Sequence, residues 1–362
     1  MNDELNILHI SPNFNFVCGV SKYIYTVLKA IKSFENENRI KLFFITNGGD
    51  GLARLESIGV KVYIMKFGKG IRNILYLKKN LVELEKFCLF NDIKIIHSHH
   101  RYPELLANSL KRKLNVKTIT TVHSLVDGFK RLSFQSDKII AVSKAVEKNL
   151  IEKFKVNRTK IYQIYNPIDI NYDKNENDNS IRSKLNIPDD AVVFLFIGRW
   201  SKIKGVDILI KVFNKISEEN KNISLILISD VKDKTQSYLN NKCKNLIFIK
   251  PQENINYFYK LSDIVILPSK KESFPYVMLE AGLHKKLFLG SKVGGIAEFI
   301  EDRVDGFLFE PNYHSLKKLV KEVLDKKLYK IDLMKESLNK KVISLYDSET
   351  YVKKLIDIYY SL

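Results

Sequence analysis

The chain has 362 residues, 45% of them hydrophobic and 28% charged, with a formal net charge of +19. That length exceeds one ordinary domain and divides naturally into two of similar size, each with enough apolar residues for its own core. No apolar run approaches a membrane span, Asp3 and Glu4 ahead of a strand-like run argue against a secretory signal, and three scattered cysteines (Cys18, Cys88, Cys243) lack metal or redox spacing and suit a reducing compartment.

The charge is uneven. Residues 1–170 carry 28 Lys and Arg against 15 Asp and Glu, and residues 171–362 carry 32 against 26. A basic first half is suited to an anionic partner: nucleic acid, an anionic bilayer leaflet or an acidic substrate. A Lys-, Asn- and Ile-rich composition from an AT-rich genome produces the same balance.

In chain order, short apolar runs rich in β-branched residues occur at Ile7–Ile10, Leu42–Thr46, Val60–Met65, Lys94–His97, Thr118–Val122, Lys138–Val142 and Ile161–Tyr165. Helical periodicities lie between several of them. Tyr23, Ile24, Val27, Leu28 and Ile31 predict one buried face, and Ile71, Ile74, Leu75, Leu81 and Leu84 another. From Asn171 to Ser180 there is almost nothing to bury, and the stretch predicts a linker. The alternation then resumes, with strands predicted at Val192–Ile197, Leu225–Ile228, Leu246–Ile249, Ile264–Leu267, Leu287–Leu289 and Phe307–Phe309. Helices are predicted over Val206–Ile216, Leu316–Val323 and Ser348–Leu362. Such alternation predicts two doubly wound α/β domains, Rossmann-like in build, with ligands beyond the carboxyl ends of parallel strands.

Three stretches carry chemistry. Gly198-Arg199-Trp200-Ser201-Lys202-Ile203-Lys204-Gly205 follows the first strand of the second half. Arg199 can bind two phosphate oxygens at once and Lys204 acts as a point charge; an ordinary exposed connection is the alternative. No P-loop pattern is present, nor is Gly-x-Gly-x-x-Gly found after Ile7–Ile10 or Val192–Ile197. Glu272-Ser273-Phe274-Pro275-Tyr276-Val277-Met278-Leu279-Glu280-Ala281 reads as a strand end, a turn and a helix start, with Pro275 in the first helical turn. The free N–H groups of that turn suit a phosphate. Glu280 can accept hydrogen bonds from ribose hydroxyls and Glu272 can hold hydroxyls of an attached sugar, unless both are merely solvated acids. Third, His97, His99 and His100 end a strand; alternation puts His97 and His99 on one side. No acid or cysteine in that run completes a metal set, so no metal is expected.

From Glu272 to Ala281 the chain resembles the Glu-x-Phe-Pro-x-Val-x-Leu-Glu-Ala form of the E-x7-E motif of retaining glycosyltransferases of family 4, which have the GT-B fold. Gly198-Arg199 with Lys204-Gly205 is similar to that family's diphosphate loop. Gly294-Gly295-Ile296-Ala297-Glu298, Asp305-Gly306 and Glu310-Pro311 are similar to its downstream pattern. Cys18-Gly19-Val20-Ser21 resembles its glycine loop after the first strand, with Cys18 in place of one glycine. Asn166-Pro167-Ile168-Asp169 resembles its hinge, with Pro167 in a glycine place, while Ile228-Ser229-Asp230-Val231 lacks its second glycine-rich turn.

The resemblance implies a GT-B architecture. Residues 1–168, with a C-terminal helix over 346–362 packing back, form an acceptor-side domain, and 169–345 a donor-binding domain. It implies transfer of a hexosyl or N-acetylhexosaminyl group from a nucleotide-sugar, UDP favoured, without a metal or other cofactor. The implied acceptor is a glycan, lipid-linked, at the cytoplasmic face of a bacterial membrane during polysaccharide or lipopolysaccharide synthesis. Lys111-Arg112-Lys113 and Phe129-Lys130-Arg131-Leu132 are candidates for peripheral contact with an anionic membrane surface, with a solvated basic face as the alternative for both. Glu272 and His99 are implied as catalytic; Gly19, Arg199, Lys204, Ser273, Phe274, Pro275, Tyr276, Val277 and Glu280 as donor-binding; and His123 and Arg101 as acceptor-side. His123 has an alternative as a satisfied strand-end histidine, and Gly19 as a plain turn. A nucleotide-sugar epimerase of related architecture would share the cleft without needing Glu272, Glu280, Arg199 and Lys204 together. A nucleic-acid-binding protein would be basic too, but nothing resembles a recognition helix, zinc knuckle or aromatic RNA platform, and no nucleic acid is expected as a partner.

Overall fold

A computed structural model describes residues 4–34, 39–68, 70–170, 180–231, 245–325 and 330–362. Most of the predicted linker, residues 171–179, and Cys243 lie outside the described residues. The chain divides into two compact units, Met1–Pro167 with Asp347–Leu362, and Ile168–Tyr346. The division falls inside Asn166-Pro167-Ile168-Asp169.

The first unit runs β1 (Leu5–Ile10), α1 (Gly19–Ser33), β2 (Ile40–Thr46), α2 (Leu52–Ser57), β3 (Lys61–Ile64), α3 (Asn73–Phe90), β4 (Ile95–Ser98), α4 (Arg101–Leu114), β5 (Lys117–Val122), β6 (Lys138–Ala141), α5 (Lys144–Phe154) and β7 (Ile161–Gln163). Its seven strands are ordered β3-β2-β1-β4-β5-β6-β7, and every pairing is parallel. The inner strands are buried on both faces, which is why they read as continuous apolar runs. On one face Leu8, Ile10, Phe43, Ile45 and Ile96 pack with Leu84, Cys88, Leu106 and Leu110 of α3 and α4. The opposite face is covered by α1 and by the last helix of the chain, introduced below.

The second unit runs α6 (Ser180–Lys184), β8 (Val192–Ile197), α7 (Val206–Glu219), β9 (Ile223–Ile228), β10 (Leu246–Ile249), α8 (Asn256–Leu261), β11 (Ile264–Leu267), α9 (Tyr276–Leu283), β12 (Leu287–Ser291), α10 (Gly294–Phe299), β13 (Phe307–Phe309), α11 (Tyr313–Leu324) and α12 (Ile331–Leu345). Its parallel sheet is ordered β10-β9-β8-β11-β12-β13. The final helix, α13 (Ser348–Tyr360), returns to the first unit. It buries Tyr351, Val352, Leu355, Ile356 and Tyr359 there. Both sheets are Rossmann-like. In each, strand order reverses at one place: between β1 and β4 in the first unit, and between β8 and β11 in the second.

One predicted face is corrected. In α3, Ile74 and Leu75 point outward, 67% and 81% exposed, and the buried side is Leu84 and Cys88 with Leu77 and Leu81 half-buried against the core. The helix has apolar residues on nearly all sides, so two faces fit the periodicity and only packing chooses between them. The side chain of Ile71 lies outside the described residues. Among the described residues, no helix is long and apolar enough to cross a membrane.

Candidate functional site

The chemistry-bearing stretches fall at the two reversal points, where α/β sheets leave a crevice beyond their strand ends. In the second unit the Gly198–Gly205 loop leaves β8 and the Glu272 loop leaves β11, adjacent strands. Two glycines let these backbones approach. Gly205 has φ +71°, and a Cβ there would lie 1.9 Å from the carbonyl oxygen of Pro268; Gly294 has φ +42°, and a Cβ there would lie 1.9 Å from the carbonyl oxygen of Glu272. No other residue fits either place. The first contact seats the cation loop on the end of β11, and the second seats the start of α10 under the acid.

Lys204 and Glu272, 68 residues apart in sequence, are thereby brought into an ion pair between Nζ and Oε1, with Glu272 buried and Lys204 half-buried. Their side chains are 19% and 8% exposed. Ser269 Oγ also donates to Glu272 Oε1 at 2.7 Å. Glu272 is therefore neither solvated nor alone. Arg199 is exposed, and the amide of its neighbour Trp200 donates to Asp230 Oδ1 at 2.8 Å. Asp230 thus anchors the cation loop from the adjacent strand β9. Sequence reading left it unassigned, although an acid two residues past a strand end was a usable signal.

Helix α9 starts at Tyr276, with Pro275 as its N-cap at φ −77° and ψ 136°. Pro275 thus stands just before the helix, not in its first turn. Its φ is helix-like, but its ψ is extended, as an N-cap requires. Ser273 and Phe274 are buried and Val277 is half-buried. Phe274 packs on Phe299 and Tyr346, with ring centroids 5.5 and 5.8 Å away. The first turn of α9 begins at Tyr276, four residues after Glu272. One and a half turns along, Glu280 is 6% exposed and its Oε2 accepts a hydrogen bond from the hydroxyl of Tyr259. Burial, then the Glu280 carboxylate, pushes the Tyr259 phenol well above its usual range, so it remains a donor. Its ring lies flat on His284 at 4.9 Å.

In the first unit Gly19 is exposed at the first position of α1, with Cys18 as N-cap. Its amide is one of the unpaired donors of that end. His97 and His99 do share a face, and His9 of β1 joins them, directly opposite His97 in register. All three are buried, and the nearest ring nitrogens lie within 4.8 Å of one another. They could present nitrogens to a metal, yet each ring is already spent on hydrogen bonds. His99 Nε2 faces His9 Nδ1 at 3.1 Å and its Nδ1 faces His123 Nε2 at 3.2 Å. His97 contacts Tyr359 Oη and Thr121 Oγ1, both at 2.7 Å. A metal would have to replace several of these bonds.

His99 therefore has no ring nitrogen left for a substrate, and the outermost nitrogen of the cluster is Nδ1 of half-buried His123. Burial lowers His9 and His123 to about 3 and holds His97 and His99 well below the usual histidine range. Arg101 Nη1 donates to the carbonyls of Asp127 and Gly128 at 3.1 and 3.0 Å and sits 5.7 Å over the Phe129 ring. It props the 127–132 loop. Lys111 and Lys113 of the basic run are paired with Asp137 and Glu85. His9, Tyr23, Tyr359, Ser269 and Tyr259 were not singled out from sequence as site residues; each sits in an apolar run or a helix face that reads as core.

Two family models match, "Glycosyltransferase Family 4" over residues 17–172 and "Glycosyl transferases group 1" over residues 177–343. An uncharacterized glycosyltransferase of Methanocaldococcus jannaschii is 27% identical over 346 residues, 89% of each chain. The lipopolysaccharide 1,2-N-acetylglucosaminetransferase of Salmonella typhimurium is 35% identical over 155 residues, 39% of this chain and 40% of that one. The crystal structure of Anabaena HepE in complex with UDP-glucose superposes with a TM-score of 0.83 at 19% identity, covering 99% of this chain and 100% of that one.

Two expectations follow from this geometry. Removing one partner of a buried ion pair leaves the other charge stranded. Lys204→Met is therefore expected to cost roughly 3 kcal/mol in urea unfolding, and the double variant Lys204→Met, Glu272→Gln to recover most of it; additive losses would contradict the pair. The histidine cluster makes a pH prediction. Folded-state values lie below the unfolded 6.5, so the unfolded chain binds protons that the fold refuses. Stability is then complete above pH 6.5 and falls as pH drops toward the folded values near 3. Between pH 7.5 and 5 the first unit is expected to lose at least about 2 kcal/mol, with a shallower slope in His9→Asn. A flat profile over that range would contradict neutral burial.

Proposed function

The chain belongs to the family-4 glycosyltransferases, with the two Rossmann-like domains of the GT-B fold, and from that premise we propose that it transfers a sugar from a nucleotide, UDP favoured, to a hydroxyl of a lipid-linked glycan with retention of configuration. The observation that carries this reading is the buried Lys204–Glu272 pair beside the first turn of α9. A diphosphate arriving there offers Lys204 a stronger partner and releases Glu272 toward the sugar. HepE holding UDP-glucose and the Salmonella enzyme named for N-acetylglucosamine transfer to lipopolysaccharide support the donor and acceptor classes.

Breaking the glycosidic bond leaves charge on the departing diphosphate. Arg199, Lys204 and the N–H groups of Tyr276 and Val277 stabilise that charge, supplying what a divalent cation supplies elsewhere, so the transfer needs no metal. The anomeric centre becomes oxocarbenium-like, and Glu272, freed from Lys204, orients the sugar and faces that charge. Glu280, held by Tyr259, takes the ribose hydroxyls. Ser273, Phe274 and Pro275 shape the turn. In the first unit, the Gly19 amide is the group we assign to the donor, and His123, backed by His99, the one we assign to the sugar or the acceptor hydroxyl.

A lipid-linked acceptor calls for a membrane surface, and the first unit offers one. Phe129 and Leu132 are 75% and 57% exposed beside Lys130 and Arg131. The outer side of α3 exposes Leu75, Val82 and Phe90 among Lys78, Lys79 and Lys86. Apolar side chains interleaved with lysines suit an anionic leaflet, so we place the enzyme peripherally on the cytoplasmic side.

Nucleotide-sugars screened by thermal shift, followed by transfer assays on lipid-linked glycans, test the reading. Glu272→Ala is expected to lower turnover about 100-fold or more while binding free UDP as well as the parent or better, since Lys204 is released. Arg199→Ala is expected to weaken UDP about tenfold, near 1.4 kcal/mol, and to leave uridine unchanged. Unchanged turnover in Glu272→Ala, or an epimer formed from the nucleotide-sugar with no acceptor present, would overturn the proposal.

A further inference from the structure

The polar side chains on the α1/α13 face of the first sheet form one unbranched chain of hydrogen bonds. His123 Nε2 meets His99 Nδ1 at 3.2 Å, and His99 Nε2 meets His9 Nδ1 at 3.1 Å. His9 Nε2 meets the Tyr359 hydroxyl at 3.3 Å, and that hydroxyl meets His97 Nδ1 at 2.7 Å. His97 Nε2 meets Thr121 Oγ1 at 2.7 Å, Thr121 meets Tyr23 Oη at 3.2 Å, and Tyr23 meets Tyr351. Among the described residues the Tyr359 hydroxyl has only the two histidines as partners. Its members lie far apart in sequence, His9 on the first strand and Tyr351 and Tyr359 on the last helix.

Each link holds one proton. A neutral imidazole carries one N–H, so it donates at one ring nitrogen and accepts at the other. A phenol has one proton to give, and burial keeps both Tyr359 and Tyr23 protonated, Tyr23 raised to about 12. Fixing one ring then fixes the next. If His123 donates from Nε2, His99 accepts at Nδ1 and must donate from Nε2. His9 follows in the same sense, Tyr359 donates onward, and His97 donates from Nε2 to Thr121. Reversed, all four rings carry the proton on Nδ1. A mixed pattern places two donors or two bare nitrogens face to face, or sets the Tyr359 hydroxyl between two donors, so that its proton has no acceptor, or between two bare nitrogens, only one of which its single proton can serve.

We propose that this chain is a tautomer relay in which the Tyr359 hydroxyl locks His9, His97, His99 and His123 into one shared tautomer. Tyr359 is thus a positioning residue for His123, although His9 and His99 stand between them in the relay. His123 Nδ1 is the outermost ring nitrogen and has no partner among the described residues. With the protons on Nε2 it can only accept, as from a hydroxyl; with the protons on Nδ1 it can only donate, as to an anionic oxygen. The last helix of the chain therefore takes part in deciding which ligand oxygen the site receives.

The test is 15N NMR of the full-length protein labelled at histidine, at pH 7.5, where protonated and bare ring nitrogens give separate signals. In the parent all four histidines are expected neutral and in the same tautomer. Tyr359→Phe keeps the ring and removes only the link, so the His123 ring signals are expected to move toward a tautomer average, while Tyr360→Phe, on the exposed neighbour, leaves all four unchanged. Mixed tautomers in the parent, a charged ring among the four, or His123 signals unmoved in Tyr359→Phe would overturn the relay. Should Tyr359→Phe fail to fold, the parent spectrum alone decides between shared and mixed tautomers. The readout involves no donor or acceptor, so its failure is separable from failure of the transferase reading.

Discussion

Glu272 and Lys204 meet because three backbone segments come closer than any side chain permits. Gly205 lies against the carbonyl of Pro268 and Gly294 against that of Glu272 itself, so the cation loop, the acid loop and the start of α10 are stacked at the reversal point of the second sheet. The ion pair is the product of that stacking. With Ser269 as its only further side-chain partner among the described residues, it is costly to break from one side and cheap to exchange for a phosphate, which brings its own charge to Lys204. On the proposed reading, the packing that brings the pair together also prepares it for that exchange.

The first unit uses a different device at its own reversal point. Its carboxyl strand ends carry histidines instead of cations, and burial keeps them neutral. A row of neutral rings has no net charge to steer a ligand, but it has direction, because each ring must donate one way and accept the other. The two units therefore carry different devices at their reversal points: an ion pair in one, and a row of neutral hydrogen-bonded rings in the other.

Much of this arrangement could be read from residues alone. Continuous apolar runs alternating with helical periods placed the strands, because parallel strands are buried on both faces and leave that trace. The loops at Gly198–Gly205 and Glu272–Ala281 stood out by their residue types, and the structure brings them together. Partners were harder to read. Nothing local announces that Lys204 reaches Glu272, or that His9, flanked by leucine and isoleucine, faces His97 across a strand pair and Tyr359 from 350 residues away. Periodicity reports which side is buried and not against what. In α3, apolar on nearly every side, it could not report even the side, and the exposed Leu75 was read as core. Pro275 was displaced by one residue because its φ suits both an N-cap and a first turn, and ψ separates them.

The central claim is that Lys204 leaves Glu272 for a diphosphate while the loops beneath stay fixed. The most direct measurement is a crystal structure of the protein with UDP bound. Lys204 Nζ is expected on a phosphate oxygen, with the Tyr276 and Val277 amides facing the same group and the Gly205 and Gly294 contacts unchanged. UDP bound elsewhere with the Lys204–Glu272 pair intact would contradict it.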